Sequence, residues 1–258
     1  MHRLAPTGTC AKPRMKRLRL AMRLLRVGAH LLRGVLECAL LFPLLGDAAR
    51  ARRVQRWSGA LTHIFGITIV ASGALPINGG ALVANHVSWL DVFVINALSP
   101  CTFIAKSEVR QWPVIGWLSA RAGTVFIARE RPSSLRTANK LIARQLAEGR
   151  QLAFFPEGTS AAQGAMQPFH ANLFQGVVMA SAAVYPVALV YRDVSGALSA
   201  RVEYIGHTTL GQSIVRLLSG ERCVAHLCYL PALASSSLDR RGLAAAAHAA
   251  IHGYVGDP

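Results

Sequence analysis

The pattern of apolar and polar positions changes at about residue 67. Before that point, two long helices are predicted over residues 16–42 and 48–65, joined by a break at Pro43–Gly46. After it, short β-prone runs alternate with helical stretches, which predicts an α/β domain with a mixed central sheet flanked by helices. The predicted strands read ITIVAS, ALVAN, CTFIAK, TVFIAR, QLAFFP, YPVALVY, ARVEYIG and CVAHLCYL.

Two of the predicted helices in this second part have well-defined ends. One covers residues 133–149, opening on Ser133–Ser134, keeping its apolar residues on one side and stopping at Gly149. The other is an Ala-rich helix over residues 239–255 near the end of the chain. No repeat or low-complexity tract interrupts this pattern, so we expect one large domain rather than several small ones.

Positive charge is concentrated at the N-terminal end of the chain. Residues 1–56 hold thirteen basic and two acidic side chains, and so carry +11 of the formal net charge of +16. Such an end suits an anionic surface, either nucleic acid or a membrane. Charged residues form one helical stripe beside a broad apolar face, which favours an amphipathic helix in a bilayer interface; a helix packed on its own domain is the alternative. The stripe consists of Lys16, Arg19, Arg23, Arg26, His30, Arg33 and Glu37.

No charge-free run reaches the about 18–20 apolar residues that a membrane-spanning helix needs. The run after Glu37 extends only from Cys38 to Gly46 and contains Pro43, so we expect a monotopic anchor, with a re-entrant hairpin around Pro43 as the alternative. Basic residues within the apolar segment argue against a signal peptide. The chain is expected to have three parts: a disordered basic N-terminus (residues 1–15), amphipathic membrane-anchoring helices (16–66) and a catalytic domain (67–258).

The cysteines indicate a reducing compartment. There are five of them, scattered along the chain without a C-x-x-C pair. An odd number with this spacing favours neither a disulfide framework nor a zinc site. We therefore expect a protein on the cytoplasmic side of a membrane, without a metal centre.

The stretch NHVSWLD (residues 85–91) contains the first candidate for chemistry. His86 follows a buried-looking strand, at the sheet edge where α/β proteins bind ligands. If Ser88 caps a helix beginning at about Trp89, then Asp91 lies in its first turn, where the helix dipole favours an acid whatever its function. Alternatively, Asp91 holds one nitrogen of His86, and the other nitrogen accepts a proton from a substrate hydroxyl. No G-x-S-x-G serine motif competes for this role.

Two further features lie at predicted strand ends. FFPEGTS (residues 154–160) is a turn that places Glu157 between an apolar strand and a small-residue loop. Its backbone N–H groups are suited to a polyol or an oxyanion, although a plain strand-ending turn explains the residues equally well. Lys106 and Arg129 each follow a predicted strand, and two cations near a histidine suit an anionic substrate such as a phosphate.

Taken together, these segments resemble the glycerolipid acyltransferase family, in particular bacterial enzymes of the 1-acylglycerol-3-phosphate O-acyltransferase type. NHVSWLD matches the H-x4-D block of the family, and FPEGTS matches its third block. The second block is matched by Lys106, Gly116 and Arg129, with Val109 where leucine is common. VYPVAL (residues 184–189) matches the apolar fourth block, so the resemblance covers about residues 60–230.

The resemblance implies transfer of a fatty acyl group from acyl-acyl-carrier-protein or acyl-coenzyme A to the hydroxyl of a lysolipid. The thioester is a co-substrate, so no cofactor is implied. The favoured acceptor is 1-acylglycerol-3-phosphate, which gives phosphatidic acid for phospholipid biosynthesis at the cytoplasmic face of the inner membrane. The implied site comprises His86 as base, Asp91 as its orienter, Lys106 and Arg129 as phosphate ligands, and Glu157, Gly158 and Thr159 as the lining of the acceptor pocket.

The sequence departs from the family pattern at two positions. Ser160 follows Thr159 where the family commonly has an arginine, and His170 stands where a lysine is common. Losing these cations weakens the attraction for a phosphate, and lyso-ornithine lipid is the second candidate acceptor. Two other interpretations stay open: a thioesterase that uses water as acceptor, and a non-catalytic basic protein that binds anionic lipid or nucleic acid.

Overall fold

A computed structural model describes residues 13–76, 79–128 and 132–256. Its helices are α1 (Pro13–Leu36), α2 (Asp47–Ile64), α3 (Asp91–Leu98), α4 (Ile115–Arg121), α5 (Pro132–Ala147), α6 (Phe174–Met179), α7 (Leu210–Ser219) and α8 (Arg240–Val255). Its strands are β1 (Ile67–Gly73), β2 (Gly80–Ala84), β3 (Thr102–Lys106), β4 (Val125–Ile127), β5 (Gln151–Phe154), β6 (Val184–Asp193) and β7 (Cys223–Tyr229).

The strands of the described residues form one seven-stranded sheet in the order β1-β7-β6-β2-β5-β3-β4. All neighbouring strands run parallel except β6 and β7, so the expected mixed sheet flanked by helices is confirmed. Every residue of β2 is buried because helices cover both faces of the sheet at its centre. His86 follows the carboxyl end of β2 and therefore lies at the edge of the sheet.

One predicted strand is wrong. ARVEYIG forms a short 3-10 turn at Ala200–Val202 followed by irregular chain. Backbone groups of this segment bond to neighbouring loops instead of to a strand: the N–H of Tyr204 donates to the carbonyl of Val87, at 3.0 Å, and its carbonyl accepts from the hydroxyl of Ser160. The alternation of apolar residues here reflects a loop that covers the sheet edge.

The N-terminal helices lie close to their predicted positions. Helix α1 begins at Pro13, three residues earlier than expected, and continues through a π-helical turn (Glu37–Leu41) into a 3-10 turn (Phe42–Leu44). Residues 1–12 of the predicted disordered segment lie outside the described residues. Helix α2 follows after a break at Gly46, so the predicted helix pair is present.

Helix α1 packs lengthwise on the domain. The ring Nε2–H of His30 donates to the carbonyl of Trp57 (3.0 Å), while the Trp57 indole N–H donates to the carbonyl of His30 (3.1 Å). The two rings stack with centroids 4.6 Å apart. Val27 before this pair and Cys38 and Phe42 after it are also buried. One face of α1 and of its extension therefore belongs to the protein core.

The opposite face of α1 is apolar and exposed. It carries Leu18, Met22, Leu24, Leu25, Leu32, Leu36, Leu40 and Leu44, which we call the leucine face. By length and composition alone, the helical stretch Arg17–Leu44 is sufficient to cross a membrane. This stretch is longer than any charge-free run because it includes Arg33 and Glu37, which pair with each other at 2.7 Å.

Gly116 of the second block has a structural explanation. A Cβ added there would lie 2.3 Å from the carbonyl oxygen of Arg110, so the backbone of α4 approaches the preceding turn too closely for any side chain. The approach is reinforced by the bond from the Gly116 N–H to the carbonyl of Trp112, at 2.9 Å. Glycine thus closes the turn that follows Lys106.

Gly116→Ala is expected to lower the free energy of unfolding by about 1–3 kcal/mol, because the carbonyl of Arg110 must move away. Denaturant unfolding of the purified protein measures the change. Gly211→Ala in α7 is the matched control, since its added Cβ meets nothing within 4 Å. Equal stability of the two variants would contradict this account of Gly116.

Candidate active site

His86 and Asp91 are in direct contact. The Nδ1 atom of His86 lies 2.8 Å from Oδ2 of Asp91, so the predicted contact between them is confirmed. The helix begins at Asp91 rather than at about Trp89, but the hydroxyl of Ser88 accepts the N–H of Leu90 at 3.4 Å in the turn that leads into it. Oδ2 of Asp91 in turn accepts the backbone N–H groups of Val87 (2.8 Å) and Ser88 (2.9 Å), so the turn wraps around the carboxylate.

This contact selects the tautomer of the histidine ring. Because the carboxylate of Asp91 accepts, Nδ1 of His86 carries the hydrogen, and the lone pair of the neutral ring lies on Nε2. No hydrogen bond within the described residues engages Nε2. The side chain of His86 is 20% exposed, whereas that of Asp91 is completely buried. The arrangement therefore presents a proton acceptor to a ligand while its orienting acid stays away from water.

The loop after β5 holds the backbone of His86 on both sides. Oε1 of Glu157 accepts the His86 N–H at 2.6 Å, and the N–H of Ala161 donates to the His86 carbonyl at 2.8 Å. The ring of Phe155 stacks on the imidazole with centroids 4.1 Å apart. NHVSWLD and FFPEGTS, which lie far apart in the chain, thus form one site.

Glu157 uses both of its carboxylate oxygens for backbone contacts. Oε2 accepts the N–H of Gln167 at 2.7 Å, in addition to the contact of Oε1 with His86. The residue is only 4% exposed, and burial raises the pKa of its carboxyl group, against the pull of the two N–H donors. Glu157 therefore lines the predicted acceptor pocket. Its carboxylate is also a clamp, which joins the backbone of His86 to that of Gln167. Sequence spacing gave no sign of this second function.

A cavity of about 440 Å³ opens beside this clamp, a size suited to a ligand head group. Lys106, the last residue of β3, contributes a cation to it, and Glu108 contributes an acid. The hydroxyl of Ser160 donates to the carbonyl of Tyr204, so that side chain is engaged by the backbone. Arg129 lies outside the described residues. The cavity is lined by Lys106, Glu108, Leu135, Pro156, Glu157, Gly158, Thr159, His170, Asn172 and Leu173.

Sequence reasoning missed three residues that build the site. Asn85 exchanges two bonds with the backbone of Leu189, at 2.9 and 2.8 Å, and so fixes β6 beside the start of the turn. The hydroxyl of Tyr191 donates to Oδ1 of Asp91 at 2.7 Å. The amide of Gln163 bonds to the N–H and the carbonyl of Tyr191. The available signal was a tyrosine within an apolar strand, since a buried hydroxyl needs a partner.

Comparison with known proteins shows the family of this chain. A family model described as Acyltransferase matches residues 67–190. The chain is 40% identical over 202 residues to a lyso-ornithine lipid O-acyltransferase of Pseudomonas aeruginosa, covering 78% of each chain. It is 38% identical over 182 residues to a 1-acyl-sn-glycerol-3-phosphate acyltransferase of Neisseria gonorrhoeae, covering 70% of this chain and 71% of that one. The chain belongs to the glycerolipid acyltransferase family.

The fold agrees with that of a solved acyltransferase. The crystal structure of the 1-acyl-sn-glycerophosphate acyltransferase of Thermotoga maritima matches 93% of this chain and 95% of its own, with a TM-score of 0.70 and 17% identity. The family match over residues 67–190 contains all four sequence blocks. Membership of the glycerolipid acyltransferases leaves the acceptor open, because the names of the relatives specify two different lipids.

Glu157→Gln is expected to lower the free energy of unfolding by about 1–3 kcal/mol, because an amide N–H₂ replaces one of the two oxygens that accept backbone N–H groups. Thermal and denaturant unfolding measure the change. Glu148→Gln is the control, since that carboxylate pairs with arginines at the surface. A Glu157→Gln protein as stable as the control would contradict the clamp.

Proposed function

We propose that the protein is an O-acyltransferase that moves a fatty acyl group from a thioester to the hydroxyl of a lysolipid in phospholipid biosynthesis. The observation that carries the proposal is the contact between His86 Nδ1 and Asp91, which leaves Nε2 as a proton acceptor. This base lies at the carboxyl edge of the sheet, where ligands of α/β proteins bind. The cavity lined by Lys106 is next to this base, because Glu157 lines the cavity and also accepts the His86 N–H.

The chemistry requires one general base and no acyl-enzyme. Nε2 of His86 accepts the hydroxyl proton of the lysolipid as the oxygen attacks the thioester carbonyl carbon. The negative charge of Asp91 stabilises the resulting imidazolium. The carbon–sulfur bond then breaks, and the departing thiolate takes the proton from Nε2, which restores the neutral base. The thioester is carried by acyl carrier protein or coenzyme A, so no bound cofactor is needed.

The first candidate acceptor is 1-acylglycerol-3-phosphate, with phosphatidic acid as product. Lys106 in the cavity supports an anionic head group, and we propose Arg129 as a second phosphate ligand on the basis of the sequence block. Gly158 and Thr159 line the same cavity and are proposed to contact the acceptor. The relative from Neisseria gonorrhoeae is named for this reaction.

The second candidate acceptor is lyso-ornithine lipid, whose head group carries both an ammonium and a carboxylate. Two observations favour it: the cavity contains Glu108 as well as Lys106, and Ser160 supplies no cation where the family commonly has an arginine. A mixed pair of charges suits a zwitterion better than a phosphate. The relative from Pseudomonas aeruginosa is named for this acceptor.

Membrane association is proposed to be monotopic, on the cytoplasmic face of the inner membrane. Helix α1 is bonded to Trp57 through His30, and Arg23 donates to the carbonyl of Leu218 in α7. A helix held along its length by the domain cannot also stand across a bilayer. The leucine face then lies in the interface of an anionic leaflet, with exposed basic side chains of residues 16–56 beside it.

An acceptor panel tests the reaction. Purified protein with one acyl thioester is expected to consume the thioester only when a lysolipid is added, and to release one thiol for each diacyl product. Lysophosphatidate and lyso-ornithine lipid are assayed side by side with thiol release and product analysis. The preferred acceptor decides between the two candidates. Thioester consumption that yields free fatty acid without acceptor would indicate a thioesterase, and no consumption would leave a lipid-binding protein.

His86→Ala in the same assay is expected to reduce kcat by about 10²–10⁴-fold, because the loss of a positioned base removes a contribution of this order. The matched control is His207→Ala, an exposed histidine in the loop before α7. Substantial residual turnover by His86→Ala with unchanged folding would refute the assignment of the base.

Leu25→Gln is expected to weaken binding to anionic phospholipid vesicles about tenfold, because burial of one leucine in lipid is worth about 1.5–3 kcal/mol. Co-sedimentation of the full chain with vesicles measures the partition. Val194→Gln is the matched control, since Leu25 and Val194 are 74% and 73% exposed. Equal binding by both variants would mean that the leucine face does not enter the membrane.

A further inference from the structure

The carboxylate of Asp91 has a second contact, on the oxygen that does not face His86. Its Oδ2 accepts from the His86 ring and from two backbone N–H groups, while Oδ1 accepts from the hydroxyl of Tyr191 at 2.7 Å. Within the described residues, Tyr191 is the only donor to Oδ1. Both Asp91 and Tyr191 are completely buried, so water cannot replace this contact.

We infer that Tyr191 is a positioning residue of this active site, whose hydroxyl fixes the plane of the Asp91 carboxylate and thereby the aim and charge of His86. The inference rests on the proposed acyl transfer, in which His86 is the base. No role of this kind follows from the sequence blocks, because Tyr191 lies beyond the fourth one. Within the described residues, no hydrogen bond joins the Tyr191 hydroxyl to the imidazole, and Tyr191 does not line the cavity, so it acts through Asp91.

Tyr191 is itself held in place to an unusual degree. It lies in β6, paired with Ala225 of β7. The side-chain amide of Gln163 accepts its N–H at 2.6 Å and donates to its carbonyl at 3.0 Å. The backbone that carries the phenol is therefore fixed beside Asp91. Burial and the neighbouring Asp91 charge raise the pKa of Tyr191 well above its usual range, so the hydroxyl remains a donor at any physiological pH.

The contact has two physical effects on the base. First, without a donor on Oδ1 the carboxylate would keep a desolvated oxygen, and it would gain by rotating that oxygen towards the N–H groups of the turn. This rotation would shift Oδ2 from its best alignment with Nδ1 of His86 and so misdirect the ring, while the undiminished negative charge stays beside the imidazole. Second, a donor on Oδ1 draws negative charge away from the imidazole, which sets how readily His86 accepts and releases its proton.

Two other titratable groups of the described residues act on Tyr191 or on the His86–Asp91 pair. Cys223 of β7 is the other ionisable neighbour of Tyr191, and burial raises the pKa of its thiol, so it stays neutral. Glu157 is the second acid near His86 and Asp91, and its carboxylate is bound to backbone N–H groups. The response of the base to a change at Tyr191 therefore passes through Asp91.

Tyr191→Phe tests the inference, with Tyr229→Phe as the matched control. Both changes delete one buried hydroxyl contact, since Tyr229 bonds to Ser99 at 3.0 Å away from the site. We expect Tyr191→Phe to reduce kcat about tenfold with KM changed less than about twofold, because a bond to a charged group is lost. Tyr229→Phe is expected to keep kcat while losing similar stability. A Tyr191→Phe enzyme with the kcat of the control overturns the inference.

The pH dependence of kcat/KM separates positioning from structural support. Loss of the donor leaves more negative charge beside the imidazole, so the acid limb of Tyr191→Phe is expected to move to higher pH. Site-specific ortho-fluorotyrosine at position 191 keeps the shape and donates more strongly, so it is expected to move the limb to lower pH. The fluorotyrosine variant also tests the inference if Tyr191→Phe does not fold. An acid limb that stays in place with fluorotyrosine overturns the inference.

These outcomes are distinguishable from failure of the proposed function. If the wild-type protein transfers no acyl group to any lysolipid, the proposed reaction fails before Tyr191 is tested. If the wild-type protein is active and the Tyr191 variants match it in kcat and pH dependence, only the role of Tyr191 fails. Wild-type activity with opposite shifts of the two variants supports both.

Discussion

The structure of this site depends on burying one carboxylate. Asp91 is completely excluded from water, so its charge is tolerated only because four donors surround it: the His86 ring, two backbone N–H groups of the turn and the Tyr191 hydroxyl. These donors come from the turn after β2 and from the second half of β6. The requirement to satisfy this charge joins the local turn to the sheet, and the orientation of the imidazole follows from it.

A second buried acid supports the first from the other side. Glu157 ties the N–H of His86 to that of Gln167, and the same loop returns a bond from Ala161. The loop after Ala161 also carries Gln163, which holds the backbone of Tyr191. The loop over residues 155–167 thus contacts His86 directly, and it contacts Asp91 indirectly, through Tyr191. These contacts explain why one short loop serves the cavity wall and the dyad together.

Sequence reasoning recovered what is local and what is periodic. His86 and Asp91 are five positions apart, so one turn can bring them together. The strands are recognisable in the sequence as apolar runs between helices. It could not recover contacts whose partners are backbone groups, such as those of Glu157, or whose partner lies a hundred positions away, as for Tyr191. It was wrong about residues 200–206 because a loop that covers a sheet edge alternates in polarity like a strand. The family blocks located the second and third segments, but the geometry that joins them comes from the fold.

The seating of α1 along the domain has a consequence for how substrate arrives. With the leucine face turned outward and the opposite face bonded to Trp57, the distance between cavity and bilayer is set by rigid packing. On the proposed function, an acceptor reaches the base by lateral diffusion within one leaflet. Turnover is then governed by the mole fraction of lysolipid at the surface, so that adding inert lipid slows the enzyme even when the total amount of acceptor is constant.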